Sequence, residues 1–219
     1  MEVLTVPQSD PVTALIAAVE QADSAEKLVL AVQRLAALRR PEAIPTLTTV
    51  LRYNNPGAAV AAVDGLIALG ETVTPYLLEH LDGYNYGARA WATRVFAGIG
   101  DPRALELLIE AAQQDFSLSV RRAAAQGLGK LRWSALSPEQ ANLAQQQVLA
   151  TLGQVALDGE WVVRYAAIAG LQSLALGVTA LKMTIYQQLQ ALKTQELEAI
   201  VLARIAWALQ QIHLSDPAE

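Results

Sequence analysis

Apolar residues in this chain recur at helical spacing, and the spacing itself recurs. A small residue is followed by an apolar residue four positions on and another three further. The triplet reads Ala31, Leu35, Leu38; then Ala62, Leu66, Leu69; Ala92, Phe96, Ile99; Ala124, Leu128, Leu131; and Ala167, Leu171, Leu174. A weaker form, Ile205, Leu209, Ile212, closes the series. Steps of four and three put three side chains on one helix face, the stripe that faces a core. The heads lie 31, 30, 32, 43 and 38 residues apart. That is the period of stacked helical repeats, in which no repeat buries its apolar face alone.

A second helix follows each stripe in the early repeats. Pro41, Thr72 and Pro102 are equivalent and open PEAIPTLTTVL, TVTPYLLEHL and DPRALELLIEAA. Proline suits a first helical turn, where its missing N–H costs nothing, and Asp101 is an N-cap ahead of Pro102. Asp10 before Pro11 predicts a helix over 11–22, and Ser137-Pro138-Glu139-Gln140 is a capping box. Turns fall at NNPG (54–57), DGYNYG (82–87), DGE (158–160) and LGVT (176–179). The long fourth interval holds an insertion at 133–150, read as a turn and a lengthened helix. The pattern predicts an all-α fold: one domain over residues 1–219, a crescent-shaped solenoid of about six helical hairpins.

Composition agrees. Forty residues are Ala and 34 are Leu, about a third of 219, while aromatics make up 5 %. Ala and Leu favour helices, whereas strands draw on branched and aromatic residues. Small stripe heads let neighbouring helices approach closely. With no Cys, disulfides, thiolate metal sites and a cysteine nucleophile are excluded. His80 and His213 are the only histidines, too few for a His-rich metal site, and neither shows a partner in sequence. No phosphate-binding or dinucleotide fingerprint appears. A net charge of −5 argues against nucleic acid as a partner. The start, MEVLTVPQSDP, has no basic segment leading into an apolar run. The uncharged, apolar-rich stretch 165–181 carries Gly170, Gln172, Ser173, Gly177 and Thr179, so it reads as buried helices around a turn rather than a span. A cytoplasmic protein with no membrane span is expected.

Two features could carry chemistry. Arg89, Arg121 and Arg164 precede their stripe heads by three residues, where Leu28, Ala59 and Leu202 stand in the other repeats. Such a column either covers the core and bonds carbonyls or carboxylates of the adjacent repeat, or forms an anion clamp, since guanidinium forks match carboxylates. The second feature is DGYNYGARAWATR at 82–94, which gathers Tyr84, Tyr86, Arg89, Trp91 and Arg94. At about 100° per residue, Trp91 and Arg94 fall off the buried stripe, and the tyrosines sit in the turn leading into that helix. Aromatics and arginines off the core face suit a binding surface, although loops also need apolar plugs. Trp161 and Tyr165 around Arg164 form a second aromatic–arginine group, Trp207 occupies the repeat position of Arg94, and Trp133 opens the insertion. An elongated planar ligand with acidic groups could lie along such residues, its rings on the aromatics and its carboxylates on the arginines. Asp82, in the same turn, could hold ring N–H groups or protonate the ligand, or simply open the turn.

GYNYGARAWA at 83–92, GIGDPRAL at 98–105 and SVRRAAAQGLGKLRW at 119–133, set in a HEAT-like array, resemble the F-type (beta) subunits of the E/F phycobilin lyases over nearly the whole chain. The resemblance implies a subunit that pairs with an E-type subunit as a heterodimer. The pair would bind phycocyanobilin as substrate and attach it by a thioether to a cysteine of the apo-phycocyanin alpha subunit, with no separate cofactor. Relatives that also isomerise the bilin carry His and Cys near the equivalent turn. Here Tyr84, Asn85 and Tyr86 stand there, which points to a lyase and not an isomerase. A Cys-free chain would hold the bilin non-covalently and present a ring A carbon to the acceptor thiol, gaining rate by positioning and protonation. A non-catalytic adaptor, a bilin chaperone and a pigment-free scaffold are the alternatives.

Overall fold

The computed structural model describes residues 10–81 and 85–215, the Tyr86 side chain excepted. Among the described residues there are twelve α-helices and no strand. They are α1 (Pro11–Glu20), α2 (Ala25–Ala37), α3 (Ile44–Val50), α4 (Pro56–Leu69), α5 (Val73–Glu79), α6 (Tyr86–Ile99), α7 (Leu105–Gln114), α8 (Leu118–Leu128), α9 (Pro138–Val155), α10 (Trp161–Gly177), α11 (Lys182–Gln195) and α12 (Ala199–Leu214). The six stripes fall on α2, α4, α6, α8, α10 and α12, with Leu38 and Leu131 just beyond the ends of α2 and α8. The first five are each followed by a second helix; α12 has none among the described residues.

The stripe heads behave as their spacing demands. Ala31, Ala62, Ala92, Ala124, Ala167 and Ile205 are all buried. So are Leu35, Leu66, Phe96, Leu128 and Leu171 four residues on, whereas Leu209 is half-buried. The capping predictions also meet their geometry. Asp10 Oδ1 accepts from the Val12 N–H at 3.2 Å. Ser137 Oγ accepts from Gln140 N at 3.3 Å while Gln140 Oε1 accepts from Ser137 N at 3.2 Å. The insertion is a short turn and the 18-residue α9, the longest helix among those described.

One detail departs from the sequence reading. The second helices open with a 3-10 turn, over Pro41–Ala43, Gly70–Thr72, Pro102–Ala104 and Thr179–Leu181, so α3, α5 and α7 start at Ile44, Val73 and Leu105. The chain must reverse within a few residues of a stripe, and i to i+3 bonds wind it tighter than i to i+4. The Ala104 N–H donates to the Asp101 carbonyl at 3.0 Å and Ala43 N–H to that of Arg40 at 2.9 Å. The apolar stretch 56–79 is long enough to cross a membrane only as an unbroken helix. Gly70, at φ 70°, breaks it into α4 and α5.

The chain forms two compact units, residues 1–95 and 96–219, divided within α6. In the first, α2 packs on α4 around Val32, Leu35, Leu47, Leu66 and Leu77, all buried. In the second, Leu108, Leu128, Leu152, Leu171, Leu174 and Ile185 are fully buried, each side chain contributing about 1.5–3 kcal/mol. The α8–α10 contact is closer than an alanine stripe allows, because the backbones themselves meet. A Cβ on Gly129 would strike the Gly170 carbonyl, and one on Gly170 the Ala125 carbonyl. Gly100 lies at φ 68° and accepts from Arg132 N–H at 2.8 Å.

Candidate functional site

The aromatic-rich segment lies at the start of α6. Asn85 caps that helix, its Oδ1 accepting from Ala88 N–H at 3.0 Å, as Asn55 caps α4 through Ala58 N–H at 3.0 Å. Tyr86 is thus the first residue of the helix rather than part of the turn. Asp82 and Tyr84, and the side chain of Tyr86, lie outside the described residues. Arg94 is exposed, with its guanidinium carbon 4.7 Å from the Trp91 ring, a cation–π pair one helical turn long. Trp91 is half-buried and lines a cavity of about 250 Å³ with Arg52, Tyr53, Asn55, Asn85 and Ala88. Arg52 is fixed there by donating Nη2 to the His80 carbonyl at 3.1 Å, and His80 stacks on Tyr76 at 3.9 Å. The indole, phenol and amides make this a concave surface for a planar polar ligand. Arg52 and Tyr53 were not singled out in the sequence, since they lie one repeat upstream of the aromatic segment.

Two members of the arginine column, Arg121 and Arg164, have their partners within the second unit. Arg121 grips Asp158 with both arms of its fork, Nε to Oδ2 at 3.0 Å and Nη2 to Oδ1 at 3.2 Å, and donates Nη1 to the Asp115 carbonyl at 2.8 Å. Arg164 repeats this one hairpin on: Nε and Nη2 reach the Glu196 oxygens at 2.7 and 2.8 Å, and Nη1 the Asp158 carbonyl at 3.0 Å. Each is therefore a staple from its own turn to the next. Their side chains are only 14 % and 17 % exposed. Of the two readings open in the sequence, the geometry at these positions is that of bonding to the adjacent repeat. The Arg164 fork holds the Glu196 carboxyl well below its usual range, at about 2, with the Glu198 and Leu197 N–H groups adding to the effect. The same pair raises the Arg164 pKa. Arg89, half-buried on α6, accepts from Thr93 Oγ1 through its carbonyl at 2.8 Å.

Trp161 and Tyr165 are one turn apart on α10, 40 % and 38 % exposed. The cation that meets Tyr165 is Arg204 on α12, 5.6 Å from the ring and 4.6 Å from Trp207. Arg204 itself is buried, and its Nη2 donates to Gln172 Oε1 at 2.6 Å. Arg204 was missed in the sequence. It stands directly before a stripe head, a position filled by Leu30, Ala61, Trp91, Ala123 and Ala166 in the other repeats, and a lone arginine in that apolar column was the available signal. Among the described residues no group of acidic and histidine side chains is arranged to hold a metal.

Residues 74–172 match the HEAT repeats family. The chain is 62 % identical to the phycocyanin alpha phycocyanobilin lyase CpcF of Synechocystis sp. over 198 residues, 90 % of this chain and 92 % of that protein. It is 48 % identical to the phycocyanobilin lyase subunit beta of Nostoc sp., over 90 % of this chain and 98 % of that one. Among solved structures it is similar to a chain of the complex of CpcE and CpcF of phycocyanin lyase from Nostoc sp., with a TM-score of 0.74 and 47 % identity, over 77 % of this chain and 99 % of that one.

Proposed function

The chain belongs to the phycocyanobilin lyase beta subunits, and from that premise we propose that it is the F-type half of a heterodimeric lyase acting on the phycocyanin alpha subunit. The observation that carries this reading is 62 % identity spanning nine-tenths of both chains. Its partner is an E-type subunit, as in the similar solved complex. Its working place is the cytosol of a cyanobacterium.

The chemistry follows from what the chain has and lacks. Without a cysteine it forms no thioether of its own, so it holds the bilin non-covalently and the reactive thiol belongs to the acceptor. The reaction is an addition. The acceptor sulfur bonds to the exocyclic ring A carbon, the carbon–carbon double bond is used up, and the thiol proton ends on the pigment. No redox partner enters. The protein's part is to fix pigment and thiol in register, which accounts for large rate factors when the geometry is held. Trp91 and Arg94 beside the Tyr53 cavity form one bilin-facing group. Trp161 and Tyr165 form a second. Arg121 and Arg164 act on the pigment indirectly, by fixing the turns that carry those aromatics.

The test is reconstitution. E-type subunit, this chain, phycocyanobilin and apo-phycocyanin alpha together should give covalently pigmented alpha subunit, detected by zinc-induced fluorescence after denaturing electrophoresis. An equal yield without this chain would refute the lyase reading. A bilin spectral shift with no transfer would assign the chain to pigment delivery instead.

A further inference from the structure

Arg204 is 7 % exposed, and no carboxylate among the described residues lies within ion-pair distance of it. Arg121 and Arg164 in the same unit each face an acid. One arm of the Arg204 fork is fixed by Gln172, itself buried. The other, Nη1, is buried and makes no hydrogen bond. Burial works against the charge. A guanidinium buried without a counter-charge is costly, and a buried donor left without a hydrogen bond in a native structure calls for an explanation.

Its surroundings say what could arrive. Tyr165 and Trp207 flank the guanidinium at 5.6 and 4.6 Å, and both rings stay partly at the surface, 38 % and 51 % exposed. Trp161 continues the aromatic face one turn along α10. A small inorganic anion has no use for three half-exposed rings, whereas a conjugated planar molecule stacks on them. The repeat supports the same reading. Trp91 and Arg94 stand one before and two after the stripe head Ala92, and Arg204 and Trp207 hold those same two positions about Ile205 in inverted order.

We propose that Arg204, Tyr165 and Trp207 form a receptor for a carboxylate borne on an extended planar ligand, here a propionate of an open-chain tetrapyrrole. The inference rests on the bilin reading above and names the group that anchors the pigment. Turning of the exposed Trp207 side chain uncovers Nη1. The propionate then takes the vacant donor in a site from which water is largely excluded, and the displaced indole stacks on the adjoining pyrrole ring. Gln172 keeps the fork from rotating, so the anchor has one orientation.

The experiment titrates the heterodimer with phycocyanobilin and with its dimethyl ester, following visible absorbance. The wild-type complex should bind the free acid about 10- to 100-fold more tightly than the ester, the range of a hydrogen bond to a charged partner. Arg204→Gln should lower affinity for the acid several-fold, towards that of the ester, and leave the ester unchanged. Trp207→Leu, a surface change, should weaken both several-fold. Equal binding of acid and ester by the wild type, a comparison that needs no folded variant, overturns the receptor and leaves the lyase reading intact. So does full discrimination retained in Arg204→Gln, or a loss confined to heterodimer assembly, which would assign Nη1 to a partner carboxylate. Failure of the wild-type complex to bind either pigment overturns the bilin reading itself.

Discussion

Replacing Glu196 by glutamine tests the staple that joins the α10 turn to the α12 turn. The substitution keeps the shape and one acceptor oxygen and removes the charge. In the folded chain the carboxyl titrates at about 2 rather than its ordinary 4.5, chiefly because of the Arg164 fork. At about 1.4 kcal/mol per pH unit, that difference amounts to about 3 kcal/mol. The carboxylate is 8 % exposed, so solvent screening takes away little. A carboxyl depressed on folding stabilises fully above its unfolded value, and the contribution fades as pH falls from about 4.5 towards 2. Glu196→Gln should therefore be less stable than wild type by about 2–3 kcal/mol at pH 7, and the gap should close between about pH 4.5 and 2 as the wild-type carboxyl takes up its own proton. Urea unfolding followed by circular dichroism at pH 7, 5, 4 and 3 reads this as a shift in midpoint at constant slope. A gap that stays the same across that range would mean that the amide disturbs packing and that charge is not what the staple contributes.

Other expectations follow from packing and capping. Gly129→Ala should cost at least about 1–3 kcal/mol, because its backbone, at φ −72°, accepts alanine but the Gly170 backbone leaves no room for a methyl. Gly177→Ala, facing open space at the end of α10, should be neutral or raise the melting temperature. Ser137→Ala removes the capping box of α9 and should lower stability by about 1 kcal/mol in a thermal melt. Trp91→Leu with Arg94→Gln should weaken bilin binding by the heterodimer about tenfold while leaving its melting temperature within a degree or two. Unchanged binding in absorbance titration would remove the α6 surface from the pigment site.

The helices and their buried faces were legible because periodicity is a local signal. Six stripe heads read off the sequence are six buried residues. Asp10, Asp101 and Ser137 were identifiable as caps for the same reason, since each acts within three residues of itself. The 3-10 winding after each stripe was not, because Pro41 and Pro102 suit a first turn of either pitch and the choice is set by where the chain must next pack. The arginine column was visible as a phase but not as a set of partners. Arg121 meets Asp158 and Arg164 meets Glu196 across whole repeats, and charge pairing at that range leaves no periodic trace. Adjacency misled at Tyr165, which follows Arg164 in sequence but points about 100° away from it on the helix and receives Arg204 instead.

The two staples differ in how much chain they span. Arg121 reaches Asp158 across 37 residues, whereas Arg164 reaches Glu196 across 32, yet each closes the same bidentate contact and the same carbonyl contact six residues back. The distance between successive stripe turns is thus set through space by a guanidinium and a carboxylate, not by counting residues between them. The connection before α9, residues 129–137 against 178–181 before α11, and α9 itself, 18 residues against 14, are longer, partly offset by α8 ending earlier past its arginine than α10 does. The array therefore behaves as a ruler with fixed marks and adjustable spacers: its stripe turns keep their register while the chain between them is free to lengthen, and a new surface can be added in that stretch without moving the aromatics at either end.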